Sequence, residues 1–442
     1  MNRRDALWLL GVTTAGTLSS SLLSGCSVNP VTGEKQLMLM SEGQEIAIDR
    51  AQSPHQFSAD YGEFGDTGVN RYLSDVGKTL AASTHRPKMP YTFRGVNATH
   101  VNAYAFPGGS IAATRGILLG MKSEAELAGL LGHELGHVNA RHAAQRQTRT
   151  LLTQVAMAGA SRYAQGLGGT ASMLVNNLGG IASGALLAHY SRDDERQADD
   201  LGMQYMARVG ENPQGMVDLM QLLNTQNKHK PSALQQMFST HPMSRERIQT
   251  AKRTAQGRFA ALLEAPNHRE RYMDNMAPIR RQKRTILALQ DADEALRKKN
   301  TAQAEKLLRK ALKHTPDDYA ALMKMSKLQL ERGKKGAALR YAEEAQAVNP
   351  HEAQAFQVAG IVQMMQRHYS KAQSNLARYD KLLPGNPGTR FLQGVAFENM
   401  GRKGEAARYY MNYLRAGAQG EQATYARKRL LAWKVIKAPK SK

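Results

Sequence analysis

The chain has 442 residues, of which 42% are hydrophobic and 22% are charged. This composition is typical of a folded protein of roughly two or three domains and excludes a disordered, collagen-like or polytopic membrane protein. The single cysteine, Cys26, excludes a disulfide framework and a zinc ribbon built on cysteines. A metal site would therefore have to use His, Asp and Glu side chains.

The net charge of +23 is unevenly distributed along the chain. Residues 280–442 hold 33 Lys and Arg against 14 Asp and Glu, whereas residues 1–279 hold 27 against 23. The difference predicts two modules with different surfaces. Interspersed Lys and Arg are typical of solvated helix faces. An attraction to an anionic membrane surface or an acidic partner remains open.

The first 26 residues are predicted to be a secretory signal peptide with a lipobox. The Arg3-Arg4 pair precedes an uncharged stretch over residues 6–23 that is too weakly apolar to span a membrane comfortably. Leu23-Ser24-Gly25-Cys26 resembles a bacterial lipobox, so we expect acylation of Cys26 and a membrane anchor. An ordinary signal peptide with an incidental cysteine is the alternative. Export by the Sec or the twin-arginine route stays open, and export argues against a nucleic-acid partner.

By resemblance to sorting rules in enteric bacteria, Ser27 after the cysteine favours the outer membrane over the inner one. The expected location is therefore the bacterial periplasm, with a lipid anchor in the outer membrane.

Helical and extended patterns alternate between residues 41 and 271. Strands are predicted at residues 91–94, 101–106 and 111–119. Ser123 and Glu126 form a capping box that predicts the start of a helix running to about Gln147. A second helix is predicted over residues 191–209. Residues 150–191 contain one charged residue, Arg162, and many Gly, Ala and Ser; we expect a helical hairpin or lid beside the site.

A repeat of 34 residues begins after about residue 285. Small residues and prolines recur at that interval: Ala304, Ala338, Ala372 and Ala406; Pro316, Pro350 and Pro384; Gly360 and Gly394. The period resembles that of the tetratricopeptide repeat (TPR), in which stacked helical hairpins share a core and form a groove. Ser326 replaces the usual glycine of the first full unit.

The predicted fold class is mainly α. We expect a signal peptide over residues 1–26 and an α+β catalytic domain with a small sheet over residues 27–275. An all-α TPR solenoid is expected over residues 276–442.

The predicted helix from Ser123 carries the sequence His133-Glu134-Leu135-Gly136-His137. Residues i and i+4 lie on one helical face, so both imidazoles can reach one metal ion. Glu134 lies beside them, where it can take a proton from metal-bound water. The alternative is a surface helix with two unrelated histidines.

Zinc in a hydrolase needs a third protein ligand and one open position. A metzincin would place that ligand where this chain has Ala143, and its glycine where this chain has Ala140, so that class is excluded. His142 is one residue out of register and is expected to face solvent or to support a ligand. The remaining option is a glutamate on a second helix.

Glu195 on the second predicted helix supplies that glutamate, and Asp199 follows one turn later on the same face. Asp199 could accept the free N–H of a ligand histidine and so fix its tautomer. The neighbouring acidic residues, Asp193, Asp194 and Asp200, are predicted to be a solvated helix surface.

Together these segments resemble the gluzincin zinc metallopeptidase family that includes the CAAX prenyl protease and HtpX. The resemblance covers residues 28–250 and is carried by five motifs: Asn29-Pro30-Val31-Thr32-Gly33, residues 102–109, His133 to His137, Glu195 to Asp199, and Ser239-Thr240-His241-Pro242. The appended repeats resemble those of the periplasmic β-barrel assembly-enhancing type, and the lipobox resembles that of lipoprotein relatives.

The resemblance implies that His133, His137 and Glu195 bind one Zn²⁺ per chain and that Glu134 is the general base. His241 would be either a donor to the oxyanion or a fourth ligand in a latent state, and the sequence leaves both roles open. Arg247 matches the family arginine near that site, whereas Arg245 has no such match and is predicted to be a surface charge.

The resemblance also implies an edge strand that receives the substrate as an added β-strand, formed by Asn102, Ala103, Tyr104, Ala105 and Phe106. The function implied is a zinc endopeptidase that degrades unfolded or misassembled envelope proteins, with repeats that dock substrates or outer-membrane assembly machinery. The alternative is a chaperone or scaffold whose metal site is mainly latent.

Overall fold

The computed structural model describes residues 26–150 and 189–437. Residues 1–25 of the predicted signal peptide, the Cys26 side chain with its expected modification, and nearly all of the expected hairpin lie outside the part of the chain that the structure describes. Among the described residues, no helix has both the length and the apolar character that a membrane crossing requires.

The first part of the chain combines short strands with helices. The strands are β1 (Cys26–Val28), β2 (Lys35–Leu37), β3 (Thr92–Val96), β4 (Ala103–Ala105) and β5 (Ser110–Thr114). The helices are α1 (Glu42–Ala59), α2 (Thr67–Ala82), α3 (Arg115–Gly120), α4 (Glu124–Asn139), α5 (Arg192–Arg208), α6 (Gln214–His229), α7 (Pro231–Thr240), α8 (Arg245–Gln256), α9 (Arg269–Asn275) and α10 (Ala277–Arg281). A 3₁₀ turn covers Ala260–Leu262, and residues 142–150 are also helical.

The second part of the chain consists of helices joined by short turns and has no strand among its described residues. Its helices are α11 (Lys283–Arg297), α12 (Thr301–His314), α13 (Tyr319–Glu331), α14 (Lys335–Val348), α15 (Gln354–Met365), α16 (Tyr369–Leu382), α17 (Pro387–Asn399), α18 (Lys403–Arg415) and α19 (Glu421–Ala432). Together with the small sheet of the first part, these helices confirm the predicted fold class. The domain boundary at residues 275 and 276 stays a prediction.

Three strands form a mixed sheet in the order β3-β5-β4. β3 runs parallel to β5, and β4 runs antiparallel to it with Ala103 opposite Ala113. β4 is therefore an edge strand, as the edge-strand prediction requires. The predicted strand over residues 111–119 is wrong beyond Thr114, where α3 begins. Thr114 caps that helix by accepting the Ile117 N–H. The prediction failed because a short apolar run does not distinguish a strand from a buried helix.

Helix α4 is buried along its whole length and begins at the predicted cap, Ser123. The prediction that it continues to Gln147 is wrong, because the helix ends at Asn139 and Arg141 adopts a left-handed conformation with φ of 59°. The Arg141 guanidinium donates to Glu45 Oε1 at 3.1 Å, inside the protein. This break turns the chain back, so the following helical turn lies beside α4.

Helices α4 and α5 approach closely because glycines lie between them. A Cβ at Gly136 would stand 2.8 Å from the Ala198 carbonyl oxygen, and one at Gly202 would stand 2.9 Å from the His133 backbone nitrogen. Larger residues at these positions would force the helices apart. The glycines thus bring the two predicted motif helices to within side-chain reach.

The repeat pattern is confirmed by packing. Its four alanines, Ala304, Ala338, Ala372 and Ala406, are fully buried. Ser326, at the usual glycine position, is buried and donates its hydroxyl to the Ala338 carbonyl oxygen at 2.7 Å. Each small residue therefore lies where two helices of a unit meet.

The repeats pack directly against the first part of the chain. Arg115 Nη1 lies 2.6 Å from Asp318 Oδ2, and both side chains are almost fully buried. The turn after α1 places the Tyr61 ring 5.0 Å from Lys324 Nζ on the second part, and Ser58 donates its hydroxyl to Glu352. The two parts therefore share a polar, partly buried interface.

Candidate metal centre

Helix α4 holds the His133 and His137 rings in contact inside the protein. Their Nε2 atoms are 3.1 Å apart, and both residues are buried. Two neutral imidazoles that point nitrogens at each other satisfy neither lone pair unless a proton or a cation lies between them. The spacing of four residues thus produces the convergence that the sequence predicted.

Helix α5 brings Glu195 against both rings. Its carboxylate oxygens lie 3.3 Å from His137 Nε2 and 3.7 Å from His133 Nε2. Helix α5 begins with a capping box in which Asp194 accepts the Ser191 N–H at 3.0 Å. Asp194 is also buried, so its prediction as a solvated residue is wrong. The other two acidic residues, Asp193 and Asp200, are exposed as expected.

His241 ends helix α7 and completes the cluster. Its Nδ1 lies 3.0 Å from Glu195 Oε1 and 3.3 Å from His133 Nε2. One ligand atom from each of His133, His137, Glu195 and His241 falls within 4.8 Å of the others, and all four residues are buried. Three imidazoles and a carboxylate are donors that Zn²⁺ accepts in a tetrahedral site, so the cluster fits that ion.

A network of hydrogen bonds holds the potential metal ligands in place. The His133 Nδ1–H donates to Asp199 at 2.9 Å, which leaves Nε2 directed at the cluster. Arg247 donates to both Asp199 oxygens at 2.7 Å and to Glu195 at 2.5 Å. Arg247 is buried and Arg245 is exposed, which matches the surface position expected for Arg245.

The pKa values of Glu195 and Glu134 are shifted in opposite directions by their surroundings. Burial would raise the pKa of Glu195, but the nearby charge of His241 and the hydrogen bonds from His137 and His241 hold that pKa well below its usual range. Burial raises the pKa of Glu134. Both Glu134 carboxylate oxygens are buried and have no hydrogen-bond partner among the described residues. Glu195 is thus an anionic metal ligand, whereas the Glu134 carboxylate can accept a proton.

Sequence reasoning missed Tyr190 entirely. Its ring stacks on His137, with 3.8 Å between ring centroids and 20° between planes. Its backbone N–H donates to the Thr240 carbonyl oxygen at 3.0 Å, which links the start of α5 to the residue before His241. A buried aromatic directly before a helix cap has no distinctive sequence signal, so only the fold identifies it.

A cavity of about 280 Å³ opens beside His241 and borders the sheet edge. Asn102, Tyr104 and Ala105 line it, together with Tyr190 and His241. The remaining two residues of the predicted edge strand, Ala103 and Phe106, have fully buried side chains. The Tyr104 hydroxyl is buried as well and donates to Asp60 at 2.7 Å.

The backbone of β4 has hydrogen-bonding groups that do not pair with β5. Asn102 accepts from Thr114, and the Phe106 N–H donates to Ser110. Because bonding alternates along an antiparallel pair, the peptide groups of Ala103 and Ala105 point away from β5. The Asn102 side-chain oxygen is buried without a partner among the described residues.

Comparisons with known proteins identify relatives that are named as metallopeptidases or proteases. The family model described as peptidase family M48 matches residues 68–255. The beta-barrel assembly-enhancing protease of Yersinia pestis is 29% identical over 57% of this chain and 52% of that protein. The metalloprotease YcaL of Escherichia coli K12 is 34% identical over 52% of this chain and 91% of that protein. The chain thus spans about half the length of the first relative and nearly all of the second.

Among solved structures, YrrB is described as a TPR protein with an unusual peptide-binding site. It aligns with 41% of this chain and 96% of its own, at 18% identity and a TM-score of 0.31.

Proposed function

Because the chain belongs to peptidase family M48, we propose that it is a zinc-dependent endopeptidase. The observation that carries the proposal is the buried cluster of four potential metal ligands, beside which the Glu134 carboxylate accepts no hydrogen bond from the described residues. A purely structural metal site has no need of such a base.

In this proposal His133, His137 and Glu195 hold the Zn²⁺. When bound, the ion supplies a Lewis acid that lowers the pKa of a coordinated water toward ~7 and polarises the substrate carbonyl. Asp199 keeps Nε2 of His133 free to bind the metal, and Arg247 places one positive charge between the buried carboxylates of Asp199 and Glu195. The positions of all these residues support the roles that the resemblance implies.

Glu134 acts as the general base. Its carboxylate is buried and accepts no hydrogen bond from the described residues, since even His241 Nε2 stays 4.0 Å away, so it can accept the proton of the attacking water and pass it to the leaving amine. Burial raises its pKa, which makes the carboxylate a stronger base than one in water.

His241 has two proposed roles, as a donor to the oxyanion or as a fourth metal ligand in a latent state. Its position favours the role of fourth ligand. With Nδ1 at 3.0 Å from Glu195 and 3.3 Å from His133, His241 lies among the donors as a fourth ligand would. Four protein ligands close a zinc site, whereas a catalytic site keeps one position open. We infer that hydrolysis requires His241 to leave the cluster.

The substrate is proposed to add to β4 as an extra strand. The peptide groups of Ala103 and Ala105 and the Asn102 side-chain oxygen provide backbone-directed hydrogen bonds with little sequence selection. Tyr104 and Phe106 pack the strand against the core. This arrangement suits an unfolded polypeptide.

The proposed setting is the bacterial envelope. The lipobox at Cys26 and the relative named beta-barrel assembly-enhancing protease support a periplasmic enzyme on a lipid anchor in the outer membrane. Its proposed substrates are unfolded or misassembled outer-membrane proteins. The TPR helices would dock those substrates or the assembly machinery.

The test compares degradation of an unfolded outer-membrane protein by zinc-loaded wild type, Glu134→Gln and His241→Ala, all lacking residues 1–26. Chelation should abolish cleavage by the wild type, and zinc should restore it. Cleavage lost in Glu134→Gln would establish the peptidase. Faster cleavage by His241→Ala would assign latency to His241, and a dead variant would assign it oxyanion stabilisation, for which one lost donor typically lowers the rate ~10²–10³-fold.

A scaffold function would give a different pattern. In that case zinc would bind, but neither the wild type nor His241→Ala would cleave the substrate. The unfolded protein would instead be retained or protected from aggregation by the repeats.

A further inference from the structure

His142 is a buried histidine that the proposed zinc site does not use as a donor. It is fully buried and follows the left-handed break at Arg141, which folds it back beside helix α4. Its Nδ1 lies 2.9 Å from His137 Nδ1, and its Nε2 lies 2.9 Å from Gln197 Oε1. His142 therefore joins His137 to helix α5.

The direction of each hydrogen bond follows from which partner atoms can only accept. The Gln197 carbonyl oxygen can only accept, so His142 must carry its proton on Nε2 and donate it there. An Asp194 oxygen 3.7 Å from the same Nε2 also favours a proton at that position. A neutral His142 then presents a lone pair at Nδ1. His137 must donate its Nδ1–H to that lone pair, which leaves its Nε2 unprotonated and aimed at His133 and Glu195.

We propose that His142 is a positioning residue that fixes the tautomer and ring orientation of His137, with Gln197 fixing His142 in turn. This inference rests on the proposed zinc function. It makes the two ligand histidines asymmetric: the carboxylate of Asp199 orients His133, whereas a neutral His142–Gln197 pair orients His137. The left-handed break at Arg141 then has a role, because an uninterrupted helix would carry His142 away from His137.

The alternative is that His142 only fills space beside His137. Two variants separate the possibilities. His142→Asn keeps an acceptor oxygen close to the former Nδ1 position, whereas His142→Leu keeps similar bulk without an acceptor. Gln197→Leu removes the acceptor of the His142 proton, although Asp194 is close enough to replace part of it.

The measurement is zinc affinity, by competition with a chromophoric chelator, for chains lacking residues 1–26. We expect the wild type to bind one zinc ion and His142→Leu to bind it 10–100-fold more weakly, the usual effect of removing a hydrogen-bond partner of a ligand. His142→Asn should stay within ~3-fold of the wild type, and Gln197→Leu should fall between them. Circular dichroism and thermal unfolding of the metal-free forms would establish that each variant is folded.

The outcomes separate this inference from the proposed function. Equal weakening by Asn and Leu at position 142 would assign His142 to packing and overturn the inference, and so would unchanged affinity in His142→Leu. A wild-type chain that binds no zinc would overturn the proposed function and this inference together. If His142→Leu is unfolded, the comparison of Gln197→Leu with Gln197→Glu, which keeps an acceptor, decides the question.

Discussion

Arg247 is the cation on which the buried carboxylates of the metal centre depend. It contacts Glu195 and Asp199 at once and donates to the Pro242 carbonyl oxygen at 2.8 Å. Burial would lower its pKa, but the charges and hydrogen bonds of Asp199 and Glu195 raise that pKa above its ordinary value. The guanidinium is therefore charged at every accessible pH.

Arg247→Met should destabilise the metal-free protein by about 3–5 kcal/mol, because it removes the guanidinium that contacts both buried carboxylates. Zinc supplies positive charge at the same place, so the loss should be smaller in the zinc-loaded protein. Urea unfolding with and without zinc measures both values. Arg245→Met is the matched control, since Arg245 is exposed two residues away. An equal loss in both metal states would contradict the argument.

Glu211 gives a pH-dependent prediction outside the metal centre. Burial, with a smaller contribution from the Glu124 charge, raises its pKa from 4.5 to about 7. The folded protein therefore binds more protons at this residue than the unfolded chain between those values, so the stability contributed by Glu211 falls as pH rises from 4.5 to 7. Glu211→Gln should be more stable than the wild type at pH 8 and similar to it at pH 4.5. Urea unfolding at the two pH values checks this, and a pH-independent difference would contradict it.

At the scale of elements, helices could be predicted where local sequence patterns mark their caps and their buried faces. The capping box at Ser123 and the spacing of His133 and His137 located α4 and its donors. The end of α4 could not be predicted, because Arg141 adopts its left-handed conformation in contact with Glu45, a residue far away in sequence. The same long-range dependence hid the burial of Asp194 and the stacking of Tyr190 on His137.

The repeat spacing was readable because a helical hairpin needs a small residue wherever its helices touch, and Gly394 is one such position. A Cβ there would meet the Tyr410 ring at 2.6 Å. That ring is buried and held by the bond from its hydroxyl to Glu398 at 2.6 Å, so it cannot move aside cheaply. The glycine of this repeat is therefore required by packing.

Gly394→Ala should lower the free energy of unfolding by about 1–3 kcal/mol, the usual effect of overpacking a core. Gly404 in the next helix, α18, is the matched control. A Cβ at Gly404 meets nothing within 4 Å, so Gly404→Ala should raise stability by up to about 1 kcal/mol through helix propensity alone. Thermal and urea unfolding of the two variants should shift in opposite directions. Stabilisation of both variants would show that helix propensity outweighs packing at Gly394.

At the scale of the whole molecule, polar contacts join the TPR helices to the part that holds the metal centre. Gln290 on α11 donates to the Thr99 carbonyl oxygen at 2.7 Å, just before the edge strand. Lys230 at the start of α7, the helix that ends at His241, pairs with Asp291 on α11 at 2.9 Å. The first repeat helix therefore contacts the segments that lead to the proposed substrate strand and to His241. No local pattern in the sequence predicts such contacts.

The ion pair of Arg115 and Asp318 is the most buried of these links. Arg115 also donates to the Asn97 carbonyl oxygen at 2.8 Å, and Asp318 caps helix α13 by accepting the Ala321 N–H at 2.9 Å. A buried pair contributes little net stability relative to apolar residues, but removal of one partner strands the other charge. The pair therefore fixes how the two parts meet more than how tightly they bind.

Asp318→Asn should keep the helix cap, since asparagine caps as well as aspartate, while leaving the Arg115 charge buried and unpaired. We expect a loss of about 3–5 kcal/mol in urea unfolding and faster hydrogen exchange at the start of α3 and of α13. Asp317 is exposed next to Asp318 and provides the control. Asp317→Asn should change neither the free energy of unfolding nor the hydrogen-exchange rates. The double variant Arg115→Met/Asp318→Asn should lose less than the two single losses added together, because neither charge is then stranded. Additive losses would show that the two side chains act independently and that other contacts join the two parts.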